Sequence, residues 1–214
     1  VCGAGNVQHK EFKFASGEMT VEEFTQFLKT SFELLCMFSK DGSLHYICMD
    51  WRHIKEIMMA AEVYDQFKNL CVWRKDNAGM GSFYRSQHEL IFMFKHGKEP
   101  HINNVELGIH GRYRTNVWNY AGVNTPSAEN AEKRAMHPTV KPVELIKDAI
   151  LDASNRGGVV LDTFLGSGST LIAAEKAGRI CYGVELEPKY VDTAIRRYES
   201  LGEKRSAVHM GSGK

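Results

Sequence analysis

The chain has 214 residues, 43% of them hydrophobic and 25% charged, with a formal net charge of +1, so one α/β domain can bury a substantial core while composition alone does not announce a nucleic-acid partner. Five scattered cysteines (Cys2, Cys36, Cys48, Cys71 and Cys181), odd in number and without a Cys-x-x-Cys pair, argue against a disulfide framework or a zinc site and read as small core residues in a reducing, cytoplasmic compartment. No signal peptide is visible, and no apolar run is long enough to span a membrane.

Residues 1–19 are glycine-rich and polar, and read as a mobile loop. Thr20 and Glu23 have the spacing of a capping box for a helix to about Phe38. Leu44 to Met49 reads as a buried strand. Asp50 then caps a helix predicted from Trp51 to Phe67, with Trp51, Ile54, Met58, Ala61 and Tyr64 on a core-facing stripe. Leu70 to Trp73 and Glu89 to Phe94 are two more strands, joined by the glycine-rich loop Asp76 to Ser82. His88 and Glu89, as strand neighbours, point to opposite faces, so no metal site is read there. Residues 96–136 are irregular and polar. Pro142 suits the first turn of a helix to about Ser154. Val159 to Leu161 suits a buried parallel strand, followed by a helix from about Ser169 to Ala177. A strand from Arg179 to Glu185 and a helix from Pro188 to about Leu201 complete a single domain over residues 1–214, with no internal repeat.

The stretch Leu161-Asp162-Thr163-Phe164-Leu165-Gly166-Ser167-Gly168-Ser169-Thr170, with Gly183-Val184-Glu185 after it, carries the chemistry. Strand, glycine turn, helix, second strand and terminal carboxylate are the build of a site for a nucleoside-bearing cofactor. Gly166 and Gly168 let the backbone turn sharply and approach a ligand. The helix from Ser169 aims its free amides into the turn. Glu185 lies where a carboxylate accepts both ribose hydroxyls. Leu171 occupies the place where a dinucleotide fingerprint needs its third glycine, and no phosphate-gripping lysine follows the turn. A ribose with a zwitterionic amino-acid tail fits better, which is S-adenosylmethionine.

Asp162 to Thr170 resembles the cofactor motif of the amino-methylating DNA methyltransferases, and His137-Pro138-Thr139-Val140-Lys141-Pro142 resembles their companion motif. The order of the two resembles the circularly permuted β class. Gly17-Glu18-Met19, Met49 to His53, Asn77 to Ser82, Tyr84 to Glu89 and Gly111 to Trp118 extend the resemblance, over nearly the whole chain, to prophage-type and environmental bacterial DNA methylases often found behind a ParB-like nuclease domain.

That resemblance implies a three-layer, Rossmann-like S-adenosylmethionine-dependent methyltransferase fold with a mostly parallel sheet. It implies site-specific transfer of a methyl group to adenine N6 of double-stranded DNA, as in restriction-modification systems. Cytosine N4, a protein amide as acceptor, and a non-catalytic DNA- or cofactor-binding module stay open. Asp162 and Phe164 would line the cofactor pocket, Gly166, Gly168 and Ser169 form its turn, Glu185 hold the ribose, and His137, Thr139 and Lys141 approach the methionine end. The target-recognition region would be residues 96–136. From Lys95 to Lys141, seven Lys and Arg face four Glu and no Asp. Asn103, Asn104, Arg112 and Arg114 are candidates for base edges and phosphates there, with Arg85 from the preceding loop.

One departure stands out. The five prolines (Pro100, Pro126, Pro138, Pro142 and Pro188) include no adjacent pair, so the Asp-Pro-Pro-Tyr tetrapeptide that binds the target amino group is not found in these residues. In the permuted order it belongs upstream of Val1, and the chain reads as a fragment, impaired or inactive alone. The resemblance also places the strand leading into that tetrapeptide beside the cofactor strand. Its neighbours would then carry unpaired backbone, to be satisfied by upstream residues or by self-association.

Overall fold

Thr20 Oγ1 accepts the Glu23 amide at 3.2 Å while Glu23 Oε2 accepts the Thr20 amide at 2.8 Å, and this reciprocal cap starts helix α1 (Val21–Met37). The structure, a computed structural model, describes residues 19–79, 81, 83–109, 111–122 and 140–202. Strand β1 (Leu44–Met49) follows, and Asp50 Oδ1 accepts the Arg52 amide at 2.8 Å as expected of a cap.

The helix expected from Trp51 to Phe67 is much shorter. A 3₁₀ turn (Trp51–His53), a two-turn helix α2 (Ile54–Ala60) and a second 3₁₀ turn (Ala61–Val63) replace it, and strand β2 (Gln66–Arg74) begins inside the expected span. Tighter 3₁₀ winding shifts which side chains share a face. Glu56, Ile57 and Ala60 turn inward with Ala61 and Tyr64, whereas Trp51, Ile54 and Met58 face solvent. Two of the five residues of the expected core stripe, Ala61 and Tyr64, are therefore buried.

Strand β3 (His88–Lys95) lies between β1 and β2 and runs antiparallel to both; the short strand β4 (Val117–Asn119) pairs parallel with β2. Within this sheet β3 alone runs against the others. Helix α3 (Val143–Ala153) leads to strand β5 (Val159–Asp162), helix α4 (Ser169–Ala177), strand β6 (Ile180–Gly183) and helix α5 (Pro188–Glu199). β5 and β6 pair in parallel as a separate ladder.

Alternation along β3 separates the layers. Leu90, Phe92 and Phe94 pack with Leu28, Phe32 and Leu35 of α1 and Ile57 and Ala60 of α2. Ile91 faces the other way, joining Cys71, Trp73 and Trp118 against Leu145 and Ala149 of α3. The far end of α3 puts Ile150 against Ala173, Ala174 and Ala177 of α4, over Val160 and Cys181. α3 thus backs both strand groups, and the arrangement is α1 and α2, strands, then α3 and α4. Each fully buried ring, such as Phe92 or Phe94, contributes roughly 2–3 kcal/mol. Among the described residues no helix is long and apolar enough to cross a membrane.

Candidate active site

The turn after β5 is held by backbone bonds and by the carboxylates of Asp162 and Glu185. The Phe164 amide donates to Asp162 Oδ1 at 2.9 Å, the Val184 amide to the Asp162 carbonyl at 2.8 Å, and the Leu165 amide to the Val184 carbonyl at 3.0 Å. Gly166 (φ 54°) and Gly168 (φ 83°) adopt the left-handed conformation that favours glycine. Glu185 pins the turn from the neighbouring strand end. Its Oε2 accepts the Gly166 amide and its Oε1 the Glu187 amide, both at 2.8 Å. Each carboxylate oxygen keeps further acceptor capacity, so a pinned Glu185 remains able to take a hydroxyl.

Helix α4 opens from this turn with Ser169 at its first position. Ser169 is 7% exposed, and its Oγ has no hydrogen-bond partner among the described residues. A buried hydroxyl without a partner, beside the free amides of a helix N-terminus, suits an anionic group such as an amino-acid carboxylate. Phe164 stands 60% exposed at the rim, its ring edge-on to Phe27 of α1 at 6.2 Å. Half-buried Lys141 lies among Cys48 of β1, Glu89 of β3 and Asp162 of β5. Burial pulls its ammonium down, but these three neighbours outweigh burial and leave its pKa raised. The C-terminal ends of β1 and β5 therefore meet near one cation. Lys141, Asp162, Phe164, Gly166, Gly168, Ser169 and Glu185 all belong to this end of the strands; His137 and Thr139 lie outside the described residues.

Arg197 escaped the sequence reading, and so did the packing role of Gly183 within the motif. Arg197 of α5 donates from Nη1 to both the carbonyl and the hydroxyl of Ser167, at 2.9 Å for the latter, clamping the glycine turn from behind. Gly183 leaves room for Leu165, since a Cβ there would lie 2.5 Å from Leu165 Cδ2.

The five candidate DNA-facing residues have divided duties. Asn104 Nδ2 donates to the carbonyls of Leu151 and Ser154 at 2.9 and 2.8 Å, capping the end of α3. Arg114 lies 2.5 Å from Asp152 through Nε, with its guanidinium 4.6 Å above the Trp118 ring. These two side chains thus engage α3 and the sheet. Asn103 Oδ1 accepts the amides of Val105 and Glu106, and Arg112 pairs with Glu106 at 2.7 Å, both on an exposed arm. Exposed Arg85 donates to the carbonyls of Ala78 and Gly79.

A family described as DNA methylase matches residues 6–196. The chain belongs to the DNA methylase family. The chain is 27% identical over 188 residues to the DNA adenine methyltransferase YhdJ of Escherichia coli K12, covering 76% of this chain and 62% of that protein. The chain spans 30% to 64% of the length of the curated relatives it matches. Its fold is that of solved DNA methylases. The cytosine-N4-specific PvuII DNA methyltransferase aligns with a TM-score of 0.70 at 15% identity, over 92% of this chain and 77% of that one. A putative DNA modification methylase from Thermus thermophilus, solved with S-adenosyl-L-methionine, aligns with a TM-score of 0.62 at 22% identity, over 88% and 84% of the two chains. The family and these likenesses identify a Rossmann-like α/β methyltransferase fold.

Proposed function

We propose that this chain is the body of a site-specific DNA methyltransferase that moves a methyl group from S-adenosylmethionine to adenine N6. The observation carrying the reading is the turn at β5, where two left-handed glycines, a pinned Glu185 and the unpartnered Ser169 hydroxyl converge at a helix N-terminus. Ser169 and the first amides of α4 take the cofactor's carboxylate end, aided by Lys141, His137 and Thr139. Glu185 takes the ribose hydroxyls, and Asp162 and Phe164 border the adenosine. The bound cofactor supplies a methyl group already activated on sulfur.

The adenine amino nitrogen is a weak nucleophile because its lone pair is delocalised into the ring. It must leave the base stack to reach a sulfonium, and alignment then carries much of the rate. The adenine assignment is supported by the name of the E. coli relative; the cytosine-N4 neighbour supports the fold alone. On the DNA side, Arg85, Asn103 and Arg112 face the duplex, while Asn104 and Arg114 hold the arm in shape.

The Asp-Pro-Pro-Tyr group enters, in this reading, on a strand between β5 and β1, in the permuted order of the β class. The two separate ladders support that placement, since β5 pairs only with β6 among the described residues and leaves its other edge for a strand. The segment comes from upstream in a longer protein, where the resemblance also places a ParB-like nuclease domain. Self-association through the same edges is the competing arrangement, and concentration-dependent sedimentation separates the two.

The test is transfer of a labelled methyl group from S-adenosylmethionine to unmethylated DNA and to total protein. Label in DNA supports the reading; label in protein alone overturns it. Cofactor affinity without any transfer, even with upstream residues present, assigns a non-catalytic binding module.

A further inference from the structure

We propose that Phe83 and Tyr84 form a wedge that enters the DNA stack and fills the space vacated by the base turned out for methylation. The inference rests on the DNA-methylating reading above.

Residues 75–79 and 85–87 of the connection between β2 and β3 are pinned to one another. The Lys75 amide donates to the Gln87 carbonyl at 2.9 Å, and Gln87 Nε2 returns to the Lys75 and Asp76 carbonyls at 2.9 and 3.2 Å. The Gly79 amide reaches the Ser86 carbonyl at 2.8 Å, Arg85 grips the carbonyls of Ala78 and Gly79 at 3.0 Å, and Trp51 Nε1 donates to Ser86 Oγ at 3.2 Å. Near its tip the chain folds back so tightly that a Cβ on Gly81 would sit 2.2 Å from the Tyr84 carbonyl oxygen.

This well-tied loop nevertheless holds its two aromatic rings in water. Phe83 is 86% exposed and Tyr84 80%, with ring centroids 4.4 Å apart and planes at 61°. Paired rings held outward by these seven hydrogen bonds make a poor core and a good insert. The loop leaves the sheet at the C-terminal end of β2, beside the start of β3, where Glu89 neighbours Lys141 and Asp162. It therefore stands at the same end of the strands as the cofactor turn. A base turned out of the helix needs a concave pocket, whereas a protruding aromatic tip matches the apolar wedges that part base steps. One ring enters the stack, and the other braces it edge-on.

The experiment measures binding of the chain joined to the Asp-Pro-Pro-Tyr segment proposed above, with S-adenosylhomocysteine present, to three otherwise identical duplexes: fully paired, with a mispaired adenine, and with an abasic site. The wild type favours the abasic duplex over the paired one. The F83A/Y84A variant loses about tenfold on the abasic duplex, in keeping with the worth of base–aromatic stacking. It loses less on paired DNA, where turning out the base offsets part of the gain, and keeps its affinity for cofactor, and the F83Y/Y84F variant keeps the abasic preference. Retention of that preference in F83A/Y84A overturns the wedge. A loss confined to the mispaired duplex also overturns it and makes the rings a clasp on the extruded base. If the wild type binds no duplex, the DNA-methylating reading itself fails.

Discussion

Gly168 and Ala194 touch so closely that no side chain fits between them: a Cβ built on Gly168 would lie 2.7 Å from the Ala194 Cβ. The contact joins the first residue before α4 to the middle of α5, and so joins the cofactor turn to the last helix. Gly168→Ala adds left-handed strain, about 1–3 kcal/mol, to overpacking of similar size. Denaturant unfolding should show a loss of at least about 2 kcal/mol, with weaker cofactor binding. Unchanged stability would mean that α5 is free to move away.

Arg197 holds the same turn from behind. Arg197→Met keeps much of the packing and removes both bonds to Ser167. The expected cost is roughly 1–3 kcal/mol of stability, with faster amide exchange across residues 166–169 as the more specific sign. Exchange that matches the wild type in this turn would remove Arg197 from the site.

Glu185 accepts two amides, one in the glycine turn and one at the start of α5. Glu185→Gln places an NH₂ where one of those donors needs an acceptor. Titration calorimetry with S-adenosylhomocysteine is expected to show a loss of about tenfold or more, of the order set by one unsatisfied buried group. Equal affinity would show that the carboxylate neither shapes the turn nor meets the ribose.

Helix α4 was legible from the sequence to its exact bounds because glycines in left-handed conformation, Gly168 and Gly178, bracket it. Strand β1 was equally clear, with Asp50 as its stop. The expected long helix after Asp50 failed because hydrophobic spacing does not reveal 3₁₀ winding, so Ile57 replaced Met58 in the core. β4 is three residues on a sheet edge, too short for any period to show. Asn104 and Arg114 illustrate a deeper limit. A polar side chain in an irregular arm looks the same in sequence whether its partner is a phosphate or a helix end, and here the partners are the carbonyls and carboxylates of α3.

His45 is held neutral in the fold. Tyr64 Oη and Ser39 Oγ each lie 2.9 Å from its ring nitrogens and His96 stands close by; burial first, then His96, push its pKa down to about 4. In the unfolded chain the value is about 6.5, so between those values the unfolded state binds the extra proton and stability rises with pH. Its contribution is complete above about pH 6.5 and drains away as pH falls toward 4, by on the order of 3 kcal/mol. Unfolding measured from pH 7 to pH 4 should therefore fall less steeply in His45→Gln than in the wild type. Parallel profiles would show that His45 charges in place.

The most direct measurement is nucleoside mass spectrometry of unmethylated DNA incubated with S-adenosylmethionine and this chain joined to the Asp-Pro-Pro-Tyr segment proposed above. The account predicts N6-methyladenine, formed in proportion to enzyme and lost in Glu185→Ala. N4-methylcytosine would contradict the base assignment, and unmodified DNA despite measurable cofactor binding would contradict the assignment of DNA methyl transfer.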